Sequence, residues 1–165
     1  VLAAVPEAFV AYSCDKNFGQ YRDRVGAFYL IAGDEGARDA ALSNAYALAR
    51  ASWSMPPDHG GAVVRIILED AELTAQWLAE LESMRVRIRG VRDALAAAGR
   101  AGRIDLAPLG QQHGLFSILP VSSAEVTMLR ERHGVYMAGS GRINLAGLTG
   151  ENLPRFLAAL ADVAV

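Results

Sequence analysis

The spacing of apolar and polar positions changes several times along this chain of 165 residues, and each change marks an element. Phe9 to Tyr12 is a short, β-favouring run that stops at Ser13, predicting a strand with Lys16 just beyond its end. Gly26 to Gly33 is apolar throughout, which predicts a second strand buried on both faces. From Asp34 to about Trp53 the pattern becomes helical, with Ala41, Leu42, Ala45, Leu48 and Ala49 on one face, and Pro56-Pro57 prevents the helix from continuing. A short helix is expected from His59 to Leu68. Asp70 then caps a long one reaching about Gly99. Within it Leu73, Trp77, Leu81, Met84, Ile88, Val91 and Leu95 recur at steps of 4, 4, 3, 4, 3 and 4, one continuous stripe suited to docking along its own domain rather than to a coiled-coil partner. Gly99 and Gly102 end it.

The remainder has a different rhythm. Gly114 to Leu119 reads as a strand, and Ser122-Ser123-Ala124-Glu125 is a capping box opening a helix to about Arg132. Val135 to Ala138 and Ile143 to Ala146 read as two further strands, and a last helix follows Thr149. This order predicts a small α+β domain after the long helix, with a boundary inside that helix near Met84 to Gly90.

Composition narrows the class. With 52% apolar and 21% charged residues the chain has the makings of a globular core. A formal net charge of −2 offers no basic face for nucleic acid. No apolar run approaches membrane-spanning length, and the apolar opening Val1 to Val10 carries Pro6 and Glu7 without a basic n-region, so it does not read as a signal peptide. The single Cys14 excludes an internal disulfide framework and suits a reducing cytoplasm. No metal site is expected. A start at Val1, leading almost directly into a core-like strand, suggests a piece of something longer.

The candidate chemistry lies in Ser13-Cys14-Asp15-Lys16-Asn17-Phe18-Gly19, continued by Arg24-Val25-Gly26. A lone lysine is ordinarily a solvated surface residue. Here it stands with a hydroxyl three residues before it and an arginine eight after it. A lysine amine can form a Schiff base with an aldehyde cofactor, and a cofactor phosphate needs a hydroxyl and a cation to hold it.

Ser13-x-x-Lys16-Asn17-x-Gly19, with Arg24-x-Gly26, resembles the pyridoxal-phosphate lysine region of the fold-type I, class I aminotransferases, and most of all their aspartate and aromatic amino acid branch. Three further segments agree in order: Arg50-Ala51-Ser52-Trp53-Ser54-Met55-Pro56-Pro57, Gly114-Leu115-Phe116-Ser117 and Ser140-Gly141-Arg142-Ile143-Asn144. The resemblance implies an α/β plus α+β architecture. Residues 1–84 would be the last strands and helices of the large cofactor-binding domain, and 85–165 a small domain sharing the long helix.

It also implies roles. Lys16 would bond the pyridoxal 5'-phosphate aldehyde and later shuttle the substrate proton, while Ser13 and Arg24 hold the phosphate. Arg142 would pair with the substrate α-carboxylate, and Phe116 would line the pocket wall. Arg50 would reach a substrate side-chain carboxylate across a homodimer interface, and Ser54 the partner subunit's cofactor phosphate. Two departures point toward aromatic substrates: Met55 stands where aspartate-specific members usually carry Asn, and Trp53 where they carry Tyr. Asp15 stands beside Lys16 where members more often have Ser, with an effect that sequence leaves unsigned. The family's glycine-rich phosphate loop, ring-stacking aromatic and pyridinium-pairing Asp belong upstream of Lys16. The expectation is therefore a cytoplasmic C-terminal portion, inactive alone, whose exposed strand surface at Phe9–Tyr12 and Phe28–Ile31 self-associates or is covered. The alternative is a non-catalytic stable fragment or interaction module of the same fold.

Overall fold

The computed structural model describes residues 5–165, so residues 1–4 of the apolar opening lie outside it. The chain is mixed helix and strand and divides into two compact units, Val1–Leu81 and Glu82–Val165. The division falls inside the long helix.

In the first unit β1 (Ala8–Ser13) and β2 (Gly26–Ile31) form an antiparallel pair in full register, Ala8 opposite Ile31 and Ser13 opposite Gly26. Gly26 is obligatory there, because a Cβ would lie 2.4 Å from the Tyr12 carbonyl oxygen. Helix α1 (Glu35–Trp53) starts on Asp34, whose Oδ1 accepts from the Ala37 N–H at 2.8 Å. It stops where Ser54 turns to φ 65° and returns its N–H to the Arg50 carbonyl. Helix α2 (His59–Glu69) follows, and Asp70 Oδ1 then caps α3 (Ala71–Ala97) by accepting from Glu72 and Leu73 at 2.9 Å each.

The expectation that Gly26–Gly33 is buried on both faces is overturned. Phe28 and Tyr29 are more than half exposed, because the two-stranded sheet has no layer over its outer face among the described residues. An all-apolar run reports that a strand is suited to burial, not what lies available to bury it. Phe9 stacks on Phe28 with centroids 5.7 Å apart, yet remains 72% exposed. The expected exposed surface at Phe9–Tyr12 and Phe28–Ile31 is thus present. In α1, Ala41, Leu42, Ala45 and Ala49 are half-buried as the stripe predicts, whereas Leu48 is exposed.

The second unit holds the core. Its α3 segment contributes Leu95, with Ile88 and Val91 packed against the same cluster. Gly99, at φ 70°, terminates the helix, and Gly102, at φ 57°, forms the turn of a miniature hairpin between β3 (Arg100–Ala101) and β4 (Ile104–Asp105) that the sequence did not announce. A 3₁₀ turn (Ala107–Gln111) leads to β5 (Phe116–Ile118), which pairs antiparallel with β6 (Arg142–Asn144). Between them α4 (Ser123–His133) carries the expected capping box and ends on left-handed Gly134. Helix α5 (Leu153–Val163) closes the unit with Phe156, Ala159, Leu160 and Val163 in the core.

Two strand expectations are corrected. Residues 135–138 form no strand: the Val135 N–H returns to the Leu129 carbonyl, and Ala138 and Gly141 bond within a tight turn. The strand expected at Ile143–Ala146 runs instead from Arg142 to Asn144. It stops because the Asn144 side chain accepts from the Ala146 N–H at 3.0 Å and opens a 3₁₀ turn over Leu145–Gly147.

Candidate active site

The segment joining β1 to β2 is folded on itself rather than looped out. The Cys14 N–H bonds to the Val25 carbonyl at 2.9 Å, and successive turns return Phe18 to Cys14, Gly19 to Lys16 and Asp23 to Gln20. Trp77 of α3 stacks on Phe18, centroids 4.5 Å apart and 8° from parallel, and its indole N–H donates to the Asn17 carbonyl at 2.7 Å. Helix α2 presses on the far side at Gly60, where a Cβ would come within 2.1 Å of a Val25 methyl. These contacts fix the positions around Lys16 while leaving its side chain half exposed.

Ser13, Lys16 and Arg24 are gathered in this turn. The Ser13 hydroxyl accepts from the Asp15 N–H at 3.2 Å. Lys16 is 50% exposed and Arg24 67% exposed, and both cations lie over the Tyr21 ring at 5.2 and 5.4 Å. Arg24 occupies left-handed backbone, φ 55°, uncommon for a non-glycine residue. The structure defines what Asp15 does. It is buried, its Oδ2 pairs with Arg24 Nη1, and the same oxygen lies 3.9 Å from Lys16 Nζ. Arg24 Nη1 also donates to the Tyr21 carbonyl at 3.1 Å. Nε and Nη2 make no hydrogen bond among the described residues, which leaves a two-donor edge of the guanidinium for an outside anion. Burial, and secondarily the Asp15 charge, push the neighbouring buried Cys14 thiol up from its ordinary range, which disfavours its thiolate form.

Arg50, Ser54 and Met55 sit at the end of α1. Arg50 Nη1 donates to Ser54 Oγ at 2.9 Å, so the structure brings these two together, and Met55 beside them is 78% exposed. Among the described residues no hydrogen bond or ion pair joins them to the Lys16 turn.

Phe116 and Arg142 lie in the second unit. The β5–β6 register, Phe116 opposite Asn144 and Ile118 opposite Arg142, places Phe116 diagonal to Arg142 on the exposed face of the ribbon. The Arg142 guanidinium sits over the Phe116 ring, 5.1 Å from its centroid. Both line an open cavity of about 520 Å³, with Tyr136, Asn144 and Arg155 among its walls.

One residue near this site escaped the sequence reading. Arg92, only 1% exposed, lies in α3 beneath the opposite face of the ribbon. Its Nη1 donates to Ser117 Oγ at 2.9 Å and to the Leu109 carbonyl at 3.3 Å. Its Nη2 reaches the carbonyls of His113, Gly114 and Phe116 at 3.1, 2.8 and 3.0 Å. The signal was present: Arg92 falls one position after Val91 and three before Leu95, a cation inside the apolar stripe.

The chain is similar to known proteins along nearly all of its length. The family model for aminotransferase class I and II matches residues 2–160. A tyrosine aminotransferase from Rhizobium meliloti (strain 1021) is 52% identical over 148 residues, covering 90% of this chain and 38% of that protein. An aromatic-amino-acid aminotransferase from Burkholderia pseudomallei, solved covalently bound to pyridoxal phosphate, superposes with a TM-score of 0.84 at 38% identity, covering 99% of this chain and 42% of that one. An aromatic amino acid aminotransferase solved with 3-indolepropionic acid gives 0.88 at 34% identity with the same coverage. With so much of its length matched, the chain belongs to the class I and II aminotransferase family. It spans about two fifths of the length of the relatives it matches.

Proposed function

We propose that this chain supplies the lysine-bearing part of a pyridoxal 5'-phosphate-dependent aminotransferase, moving an amino group between an aromatic or acidic amino acid and a 2-oxo acid such as 2-oxoglutarate. The observation that carries the reading is the turn that gathers the Ser13 hydroxyl, the Lys16 amine and the Arg24 guanidinium within a chain of this family. That donor set fits an aldehyde bearing a phosphate. An amine can bond the aldehyde, and a hydroxyl with a two-donor guanidinium edge suits phosphate oxygens. When bound, the cofactor supplies the electron sink that makes the substrate Cα–H acidic.

This chain's own residues do the rest. Lys16 Nζ takes the Cα proton and returns it on the other side of the exchange. Arg24 and Ser13 anchor the phosphate, and Arg142, with a fork that matches a carboxylate, orients the amino acid over Phe116. In this reading residues 1–84 belong to the cofactor-binding domain and 85–165 to the small domain. Arg50 and Ser54 act across a homodimer interface, where their mutual hydrogen bond gives way to a dicarboxylate substrate and the partner's phosphate. Met55 favours aromatic rings, as do the relatives named for aromatic substrates. The protein works in the cytoplasm, and no described helix is long and apolar enough to cross a membrane.

The test is amino-group exchange between phenylalanine or tyrosine and 2-oxoglutarate by the protein that carries this chain. Lys16→Ala should abolish turnover, and Arg142→Ala should raise KM for the amino acid by about tenfold or more, the scale of a lost charged pair. Turnover that survives Lys16→Ala would overturn the reading. The exposed aromatic hairpin supports a second reading, a non-catalytic module that docks through Phe9, Tyr12, Phe28 and Tyr29. A protein that self-associates through this face and never takes up cofactor would favour it.

A further inference from the structure

We infer that Arg92 is a positioning residue for carboxylate recognition, holding the β5–β6 ribbon so that Phe116 and Arg142 keep their stacked geometry; this rests on the reading of Arg142 given above. Ribbon alternation puts Ser117 and Ile143 on the buried face and Phe116, Ile118, Arg142 and Asn144 on the other. Arg92 works from beneath. Its two terminal nitrogens bind four backbone carbonyls between Leu109 and Phe116 and the Ser117 hydroxyl, and Ser117 in turn donates to Gln112 Oε1 at 2.8 Å. Residues 112–115 form no helix or ladder of their own. Backbone bonds tie their ends, Gln112 N–H to the Leu109 carbonyl and Leu145 N–H to the Leu115 carbonyl, while Arg92 holds the His113 and Gly114 carbonyls between them, and the stretch delivers Phe116 into β5.

The consequence reaches the other face through a two-rung chain. The Phe116 carbonyl is fixed by Arg92, its side chain carries the Arg142 guanidinium, and its backbone pairs with β6, which bears Arg142. Three residue pairs make up this ladder, with one further backbone bond at each end, Leu119 N–H to the Gly141 carbonyl and Leu145 N–H to the Leu115 carbonyl, so the ribbon is short and gains from support beneath it. A carboxylate gains most from a guanidinium whose fork is already aimed, because an unaimed arginine must give up rotamer freedom on binding. Arg92 thus contributes to affinity without touching the ligand.

A buried cation could also act simply by its field on the anion, and charge-conserving replacement separates the two. Lysine keeps the charge, but a single ammonium with three donors cannot serve these five acceptors. The experiment is calorimetric titration of the cofactor-loaded protein with 3-indolepropionate, comparing wild type, Arg92→Lys, Arg142→Ala and the double variant. Ser117→Ala serves as a milder probe that keeps Arg92. Arg92→Lys should weaken binding about tenfold, the size of a lost charged hydrogen-bond set. Ser117→Ala should weaken it by a factor of about two to five, as for a single lost hydrogen bond. Adding Arg92→Lys to Arg142→Ala should change nothing further, whereas a general loss of structure would weaken both backgrounds alike. Cofactor uptake at Lys16 should be unaltered. Loss of binding in Arg142→Ala but wild-type affinity in both Arg92→Lys and Ser117→Ala would overturn the role of Arg92 alone. Wild-type affinity in Arg142→Ala would overturn the carboxylate reading itself, and this inference with it.

Discussion

The two units differ in where they keep their apolar residues, and the difference matches where they keep their chemistry. From Glu82 onward the chain closes around Leu95, Leu106, Leu129, Leu145, Phe156 and Leu160, all fully or nearly buried. Up to Leu81, Cys14 is the one hydrophobic residue buried to that degree among the described residues, and helix α1 buries none of its side chains. The second unit can stand on its own core, and its Arg142–Phe116 pair rests on a ribbon anchored to that core through Arg92. The first unit holds Lys16 in a turn fixed by a few precise contacts, Phe18 on Trp77 and Gly60 on Val25, with aromatic strand surface left outside. A functional turn can be well defined locally while the unit carrying it lacks the burial that resists unfolding.

The sharpest way to break this contrast is a pair of truncations of the same chemistry. Leu160→Ala removes a fully buried side chain and should cost about 2–5 kcal/mol, whereas Leu48→Ala on exposed α1 should stay within about 0.5 kcal/mol. Urea unfolding of both variants checks it, and equal costs would erase the distinction. A smaller effect is expected where the first unit is tight. Gly60→Ala would drive a methyl into Val25 and should cost about 1–3 kcal/mol as α2 backs away from the turn that carries Arg24. No measurable loss would mean that α2 does not brace that turn.

The smallest effect is pH-dependent and belongs to the second unit. Glu125 accepts the Ser122 N–H at 2.6 Å and the Ser122 hydroxyl at 2.8 Å, and pairs both oxygens with Arg103 at 2.6 and 2.8 Å. The Ser122 bonds first, then Arg103, hold its carboxyl below the ordinary range. A lowered carboxyl stabilises the fold above its unfolded value, and that stability is lost as pH falls through the folded value. Glu125→Gln should therefore cost about 0.5–2 kcal/mol at neutral pH, a typical capping loss, and converge with wild type in acid. A cost independent of pH would show that packing, rather than charge, holds α4 in place.

Much of this organisation is legible in the residues because local rules act alone there. The capping box at Ser122, the Asp70 cap and the glycine stop at Gly99 each depend on a few neighbouring positions, and each is found, whereas the expected α3 stripe packs on the core only from Ile88 to Leu95 and leaves Leu73 and Met84 exposed. The misses share a cause. The extended segment after Val135 lacks a partner strand, and the openness of β2 depends on what could cover it, so neither is encoded in its own residues. Ser13, Lys16 and Arg24 were findable because one short turn contains them. Asp15 could not be signed without geometry, since only the fold shows that its carboxylate turns toward Arg24. The cation at Arg92 was visible inside the apolar stripe, but its role was not, because its partners lie 17 to 25 residues away.

The central claim is that Lys16 is the cofactor lysine of an aminotransferase. The most direct measurement is borohydride reduction of the protein after incubation with pyridoxal 5'-phosphate, followed by peptide mass mapping. The account predicts one stable adduct, on the peptide containing Lys16, lost in Lys16→Ala and reduced in Arg24→Ala. An adduct on the chain's N-terminal amine alone, or none at all, would contradict it.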